Sequence, residues 1–131
     1  MSSYFLRQSE TSFVPTEHVG GAWKEDEQHV SPVFGLLAHL VETDHARRRP
    51  DAPLVLARAS YDILGVIPMA AFDVDIRVLR PGRTIELVEA TVTQNDRPAL
   101  VLRAWLLQTG DTGALAGSPL PVMPGRDVVD G

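Results

Sequence analysis

The chain has no cysteine among its 131 residues. That excludes a disulfide framework, thiolate-ligated zinc and a cysteine nucleophile, and it suits a reducing compartment. Positive charge is scarce too: 12 Lys and Arg stand against 17 Asp and Glu, a net charge of -5. A nucleic-acid partner needs a basic face, so none is expected. The one basic run, Arg47-Arg48-Arg49, falls where a helix should end. No apolar run approaches the ~20 residues that a membrane-crossing helix needs. The start, Met1-Ser2-Ser3-Tyr4-Phe5-Leu6-Arg7, lacks the basic-then-apolar order of a signal peptide. A cytoplasmic protein without a membrane span is the expectation. There is no Gly-rich phosphate loop and no Gly-x-Ser-x-Gly elbow. His18, His29, His39 and His45 do not have zinc-site spacing, so no metal is expected.

The length fits one domain able to bury a core without staples, and 44% hydrophobic with 22% charged residues is a globular balance. No internal repeat of solenoid period is present. Tyr4 to Val14 is rich in β-favouring residues and reads as a twisted first strand. Gly20-Gly21 marks a turn, and Lys24-Glu25-Asp26-Glu27-Gln28 is an aperiodic charged loop.

The strongest signal is a helix from Ser31 to about Arg48. Ser31 reads as the N-cap and Pro32 as the first helical residue, where a missing N–H costs nothing. Val33, Phe34, Leu36, Leu37, Leu40 and Val41 make it apolar on more than one face, so it should be buried or covered on two sides. His45 and Arg47 to Arg49 would complement the negative end of the helix dipole, and Pro50 ends it.

Strands follow. Leu54 to Ile63 reads as one, with Val55, Ala57, Ala59 and Tyr61 on one face. Ala71 to Leu79 alternates Phe72, Val74, Ile76 and Val78 against Asp73, Asp75 and Arg77, the pattern of a half-buried strand. Arg80-Pro81-Gly82-Arg83 reads as a turn in which Gly82 supplies a positive φ. Thr84 to Gln94 returns with a bulge expected near Leu87-Val88. Asn95-Asp96-Arg97-Pro98 turns again into Ala99 to Gln108, apolar enough to be central. Residues 110–131 are rich in Gly, Pro and Asp and read as a tail or linker behind a domain spanning 1–109.

Strand, buried helix and a run of antiparallel strands form the layout of the α+β hot-dog fold, a central helix wrapped by a curled sheet. Several segments resemble the acyl-CoA thioesterase II-like, double hot-dog family. Trp23-Lys24-Glu25-Asp26-Glu27-Gln28-His29-Val30-Ser31-Pro32, running into Gly35-Leu36-Leu37-Ala38-His39-Leu40-Val41-Glu42, is similar to the family's N-terminal loop and helix. Val78 to Glu86, with its Arg80-Pro81-Gly82-Arg83, resembles the hairpin after the third strand, and Ser60-Tyr61-Asp62 with Pro68 resembles the strand and loop between. The resemblance covers Tyr4 to Thr109 and implies the N-terminal one of two hot-dog halves. It implies an acyl-CoA or related thioester as ligand, and hydrolysis by water without a cofactor. It also implies that much of the catalytic set lies in the other half. The absence of a compact Asp-to-His hydratase motif argues against the hydratase branch of this fold.

Thioester hydrolysis requires a group that positions or deprotonates water and donors aimed at the developing oxyanion. The amides of Val33, Phe34 and Gly35, just after Pro32, are candidate donors at the helix start. His29 is a candidate contact for the thioester carbonyl or pantetheine linker. Glu42 is a candidate water-activating carboxylate, and His39, three residues earlier on the same helix face, a candidate base. Each has a bland alternative: a capped helix end, a solvated loop histidine, a core or interface histidine, and a helix-surface carboxylate pairing with Arg47 or Arg49. Two readings therefore stay open, an acyl-CoA thioesterase and a non-catalytic hot-dog module that shapes or binds. An isolated hot-dog unit leaves a sheet edge exposed, so a homo-oligomer, most simply a dimer, or pairing with a second hot-dog half is expected.

Overall fold

A computed structural model describes residues 2–21 and 23–128. Six strands and one long helix account for the ordered body. They are β1 (Phe5–Arg7), β2 (Ser12–Pro15), α1 (Val30–Arg48), β3 (Val55–Ile63), β4 (Phe72–Arg80), β5 (Ile85–Gln94) and β6 (Arg97–Leu107). All strand pairs are antiparallel and form one sheet in the order β1-β2-β4-β5-β6-β3. The single strand expected over Tyr4 to Val14 is instead a short hairpin. The polar middle of that segment turns, with the Ser9 hydroxyl accepting from the Thr11 and Ser12 amides.

The helix lays one stripe, Val33, Leu37, Leu40, Val41 and His45, onto the sheet, and all five are buried. Their spacing of three and four residues is one helical face. Opposite them lie Phe72, Val74, Val88, Ala90, Val92, Leu100, Leu102, Ala104 and Leu106. Each fully buried Leu contributes about 1.5–3 kcal/mol through surface removed from water. The other helical stripe, Ser31, Gly35, His39, Glu42, Thr43 and Ala46, is exposed. The helix is thus covered on one side in this chain.

Three local expectations change. The helix begins at Val30, and its cap is His29 rather than Ser31: the His29 ring accepts from the Ser31 N–H at 3.1 Å. Gly82 does not adopt a positive φ. Its requirement is space, because a Cβ there would lie 2.3 Å from the Ile85 carbonyl oxygen. Among the described residues those with positive φ are Asn95 (51°) and Asp96 (59°), which make the two-residue turn between β5 and β6; that conformation matches the twist of the flanking strands.

In β3 the register shifts between Leu56 and Arg58. The inward face therefore passes from Leu56 to Ala59, Tyr61 and Ile63, opposite buried Leu106, Ala104, Leu102 and Leu100. Val55 falls on the outer side, at 49% exposure. The bulge expected in β5 sits in its partner, between Val78 and Arg80 of β4, opposite Val88 and Leu87. β6 is internal, as its apolar run suggests, between β5 and β3.

His45, expected as a cation at the helix end, is buried and hydrogen-bonded. Its Nε2 accepts from the Leu54 N–H at 2.8 Å, so Nδ1 carries the proton that goes to Glu86 Oε1 at 3.1 Å. Arg48 reaches the same carboxylate oxygen at 2.7 Å, and Arg49 donates to the carbonyls of Gly82 and Arg83. The helix end is thereby tied to the β4–β5 turn. Burial pushes the Glu86 carboxyl up, but the hydrogen bonds from Arg48 and His45 and the charge of Arg48 outweigh it and hold the group below the ordinary carboxylate range.

Residues 108–128 are exposed throughout, with two short 3-10 turns at Gly113–Leu115 and Arg126–Val128. The remaining three residues of the expected tail, 129–131, lie outside the described residues. Among the described residues no helix is long and apolar enough to cross a membrane.

Candidate functional site

The loop before α1 is held by the loop after β3. Gln28 N–H donates to Ile67 O at 2.8 Å, Met69 N–H to Asp26 O at 2.9 Å, and His29 N–H to Val19 O at 2.7 Å. Glu27 also bridges to Pro68 in an isolated antiparallel pair. Between these loops and the start of the helix opens a cavity of about 420 Å³. Its floor and rim include Trp23, Ile63, Leu64, Val66 and Ile67, and its polar lining comes from Lys24, Glu27, Gln28 and His29.

With His29 as cap, the amides of Val33, Phe34 and Gly35 fall inside the helical ladder, where each finds a carbonyl four residues earlier. The expectation of free donors at those three positions therefore shifts toward the chain start. Ser31 N–H is capped and Pro32 has none, so Val30, which lines the cavity, holds an N–H with no partner among the described residues. Val33 is fully buried against the sheet. Phe34 stacks on Tyr61 at 3.9 Å between ring centroids, and its carbonyl accepts from the Tyr61 hydroxyl at 2.9 Å. That burial holds the Tyr61 phenol above its ordinary pKa.

His29 does line the cavity. Because its Nδ1 accepts from Ser31, its neutral ring carries the proton on Nε2 and acts as a donor. His39 and Glu42 do not line this cavity. His39 faces a separate groove of about 630 Å³ between the helix and the β1–β2 hairpin, with Tyr4, Phe5, Phe13, Leu36 and Gly35. Glu42 is exposed one turn further on; Asp44, not Glu42, pairs with Arg47 at 3.6 Å and Arg48 at 2.7 Å.

By sequence Glu27 and Gln28 are ordinary residues of a charged loop. Glu27 is half-buried in the cavity wall and pairs with Lys24 at 3.2 Å. Gln28 is buried. Their place directly before the helix start was the available signal, but an aperiodic charged loop carries no indication of which side chains turn inward. Among the described residues no cluster of three or more His, Asp or Glu side chains could hold a metal ion.

Residues 19–107 match the family model described as acyl-CoA thioesterase N-terminal domain. No curated protein matches the chain significantly. Among solved structures, a Streptococcus mutans protein bound to acetyl CoA is 18% identical with a TM-score of 0.65, the match covering 76% of this chain and 78% of that one. Zebrafish thioesterase superfamily member 2 is 13% identical with a TM-score of 0.64, covering 80% of each. A Thermobifida fusca protein provisionally assigned as a thioesterase II is 16% identical with a TM-score of 0.63. There the match takes in 94% of this chain but 44% of that one. At such identities the likeness establishes the hot-dog fold expected from the sequence, here with the helix on a six-stranded antiparallel sheet.

Proposed function

Because the chain belongs to the acyl-CoA thioesterase N-terminal domain family, we propose that it binds acyl-CoA thioesters in the cavity at the start of α1 and takes part in their hydrolysis. The observation that carries this reading is the cavity itself. An apolar wall from Ile63 to Ile67 meets the donating ring of His29 and the helix start at Val30, whose N–H has no partner among the described residues. In hydrolysis, water attacks the thioester carbonyl carbon, the carbonyl oxygen gains negative charge, and the CoA thiolate leaves and takes a proton. Donors held in place by the fold stabilise that oxygen without reorganising, and the positive end of the helix dipole adds to them. No cofactor is needed for any of these steps.

The cavity supplies binding and oxyanion groups more fully than it supplies a base. Glu27 is already engaged with Lys24. The reading therefore includes a second hot-dog unit, as a copy of this chain or a separate half. Its support is the free edge of β3 beside exposed Ile63, Leu64, Val66 and Trp23, which rim the same cavity. The chain also spans 44% of the Thermobifida fusca protein. Residues 110–131 then serve as tail or linker behind the 1–109 unit. In this proposal Glu42 and His39 act on a substrate only in the assembled form, where a second unit closes over the open stripe of the helix. A cytoplasmic setting completes the reading and suits the cysteine-free chain.

The alternative is a non-catalytic acyl-binding or structural half, favoured by the position of Glu42 outside the cavity. Thiol release from acyl-CoAs of two to sixteen carbons, with the protein alone and with a second half added, separates the two. Turnover supports the enzyme. Binding of a non-hydrolysable acyl-CoA thioether without turnover supports the module, and neither binding nor turnover overturns both. Sedimentation as a monomer at micromolar concentration would remove the self-paired form.

A further inference from the structure

The sheet face turned away from α1 is graded along its strands. Val88, Ala104 and Leu106 point to the helix, so by alternation Ile85, Leu87, Glu89, Arg103, Trp105 and Leu107 point outward. The register sets the outward residues in cross-strand rows. Val55, Leu107 and Ile85 form the row at the end where α1 finishes, and Arg58, Trp105, Leu87 and Arg80 form the next. Then come Ser60, Arg103, Glu89 and Arg77, and beyond them Asp62, Val101, Thr91 and Asp75. Val55 and Leu107 are exposed, as is Leu79 in the neighbouring bulge, all with residues 108–128 in place. A second hot-dog unit joined at the β3 edge would leave this face open. Glu89 is the one acid of the first three rows, and Arg77 at 2.7 Å and Arg103 at 3.2 Å already share it. Arg47, Arg48, Arg49 and Arg83 continue the positive rim, because Arg49 ties the helix end to the Gly82 and Arg83 carbonyls. Against these eight arginines stand Asp44, Asp51, Glu86 and Glu89, so this end is positive in a chain of net charge -5.

We propose that this apolar, arginine-framed band docks the protein peripherally on an anionic lipid surface. Val55, Trp105 and Leu107 enter the interfacial layer, and Arg58, Arg77, Arg80 and Arg103 meet the lipid phosphates. Charge complementarity selects this occupant. A second copy docked face to face would bring arginine rows against each other, and like charges oppose that contact. A peptide docks in a groove or along a free strand edge, and this face offers neither. β5 and β6 are internal, and α1 touches β3, β4, β5 and β6, so the sheet curls round the helix and is convex on its outer side. A lipid surface yields to a convex patch and takes up its apolar side chains. It attracts each arginine with about a fivefold gain in affinity, and a tryptophan suits the headgroup layer. The Asp62 and Asp75 row then lies away from the anionic surface. The inference stands on this face alone and is independent of the acyl-CoA reading.

The test is flotation of the full chain with two kinds of vesicle, phosphatidylcholine alone and phosphatidylcholine with phosphatidylglycerol. The anionic vesicles are expected to bind the chain about tenfold or more tightly, and added salt should shrink that preference. Arg58→Gln should weaken binding about fivefold, whereas Arg97→Gln, at the far end of β6, should leave it unchanged. The chain has two tryptophans, so Trp23→Phe makes Trp105 the sole reporter. Its emission should shift to the blue on anionic vesicles and be quenched by bromine-labelled lipid. No binding by the wild-type chain, or equal binding to both vesicles, overturns the proposal without depending on any variant. Binding that leaves Trp105 unquenched places the contact elsewhere and overturns it too. Shielding of Trp105 that grows with protein concentration in the absence of lipid overturns it in favour of a second copy. Capture of a polyglutamate chain without vesicle binding overturns it in favour of an acidic polypeptide.

Discussion

His45 and Glu86, 41 positions apart in the chain, meet at 3.1 Å with side chains only 2% and 3% exposed. Arg48 shares the carboxylate at 2.7 Å, and the Leu54 amide occupies the far nitrogen of the imidazole. One buried group thus joins the helix, the segment entering β3 and the start of β5. Glu86→Ala would leave His45 and Arg48 without their common acceptor, and breaking a buried pair in this way costs about 3–5 kcal/mol. His45→Ala strips the Leu54 N–H of its partner and opens a cavity, with an expected loss of about 2–4 kcal/mol. Urea denaturation of the two variants and their double mutant checks both. Losses that simply add would show that the residues act independently.

Acid sensitivity follows from the same carboxylate. Glu86 lies below the ordinary carboxylate range in the folded chain, because Arg48 and His45 outweigh its burial. Glu89 is lowered chiefly by the hydrogen bond from Arg77, with burial opposing and Arg103 assisting. A carboxyl whose folded pKa is depressed contributes stability that is full above its unfolded value and disappears as pH falls through the folded one. Urea midpoints should therefore decline from roughly pH 4–5 downward, and the decline should be shallower in Glu86→Gln. An unchanged acid limb in that variant would assign the effect elsewhere.

The helix cap at His29 separates folding from binding. His29→Ala removes the acceptor for the Ser31 N–H and should cost about 0.5–2 kcal/mol, whereas His29→Asn supplies another capping oxygen and should cost only a few tenths. Both lose the Nε2–H donor at the cavity. Thermal melts should distinguish the two variants while acyl-CoA affinity falls in both. Full affinity in His29→Asn would show that the imidazole serves the cap alone.

Two glycines give opposite expectations. At Gly82 a Cβ would stand 2.3 Å from the Ile85 carbonyl oxygen and 3.0 Å from an Arg80 guanidinium nitrogen. The backbone must move, so Gly82→Ala should destabilise by about 1–3 kcal/mol. Gly35 lies inside the helix with open space around it, and Gly35→Ala should stabilise by about 0.5–1 kcal/mol. Melting temperatures moving in the same direction would contradict this pair.

Much of the framework was legible because it depends on local periodicity. The alternation from Phe72 to Val78 reads directly as a strand with one buried face, and the apolar positions from Val33 to Val41 read as a helix ended by Pro50. The family resemblance rested on the order of those segments, and the match over residues 19–107 agrees with it. Less legible were features in which one residue changes meaning through a distant partner. Ser31 looks like a cap by type, yet His29 performs that role because its ring folds back over the following amide. Gly82 looks like a positive-φ turn residue, but the constraint on it is the approach of Ile85 O. His45 looks like a surface cation until Glu86 and Leu54 are brought to its two nitrogens.

By itself, then, the sequence determined most of the element types and the apolar stripe that seats the helix, since these follow from side-chain type and spacing along one chain segment. Only the tertiary structure decided where a cavity opens. It arises because the loop from Gly21 to His29 and the loop from Leu64 to Ile67 are hydrogen-bonded across the helix start. The same packing turned Gln28 inward and left His39 and Glu42 on the open stripe. Pairing of loops some 40 residues apart depends on how the sheet curls round the helix, and that long-range geometry leaves no period for a local pattern to reveal.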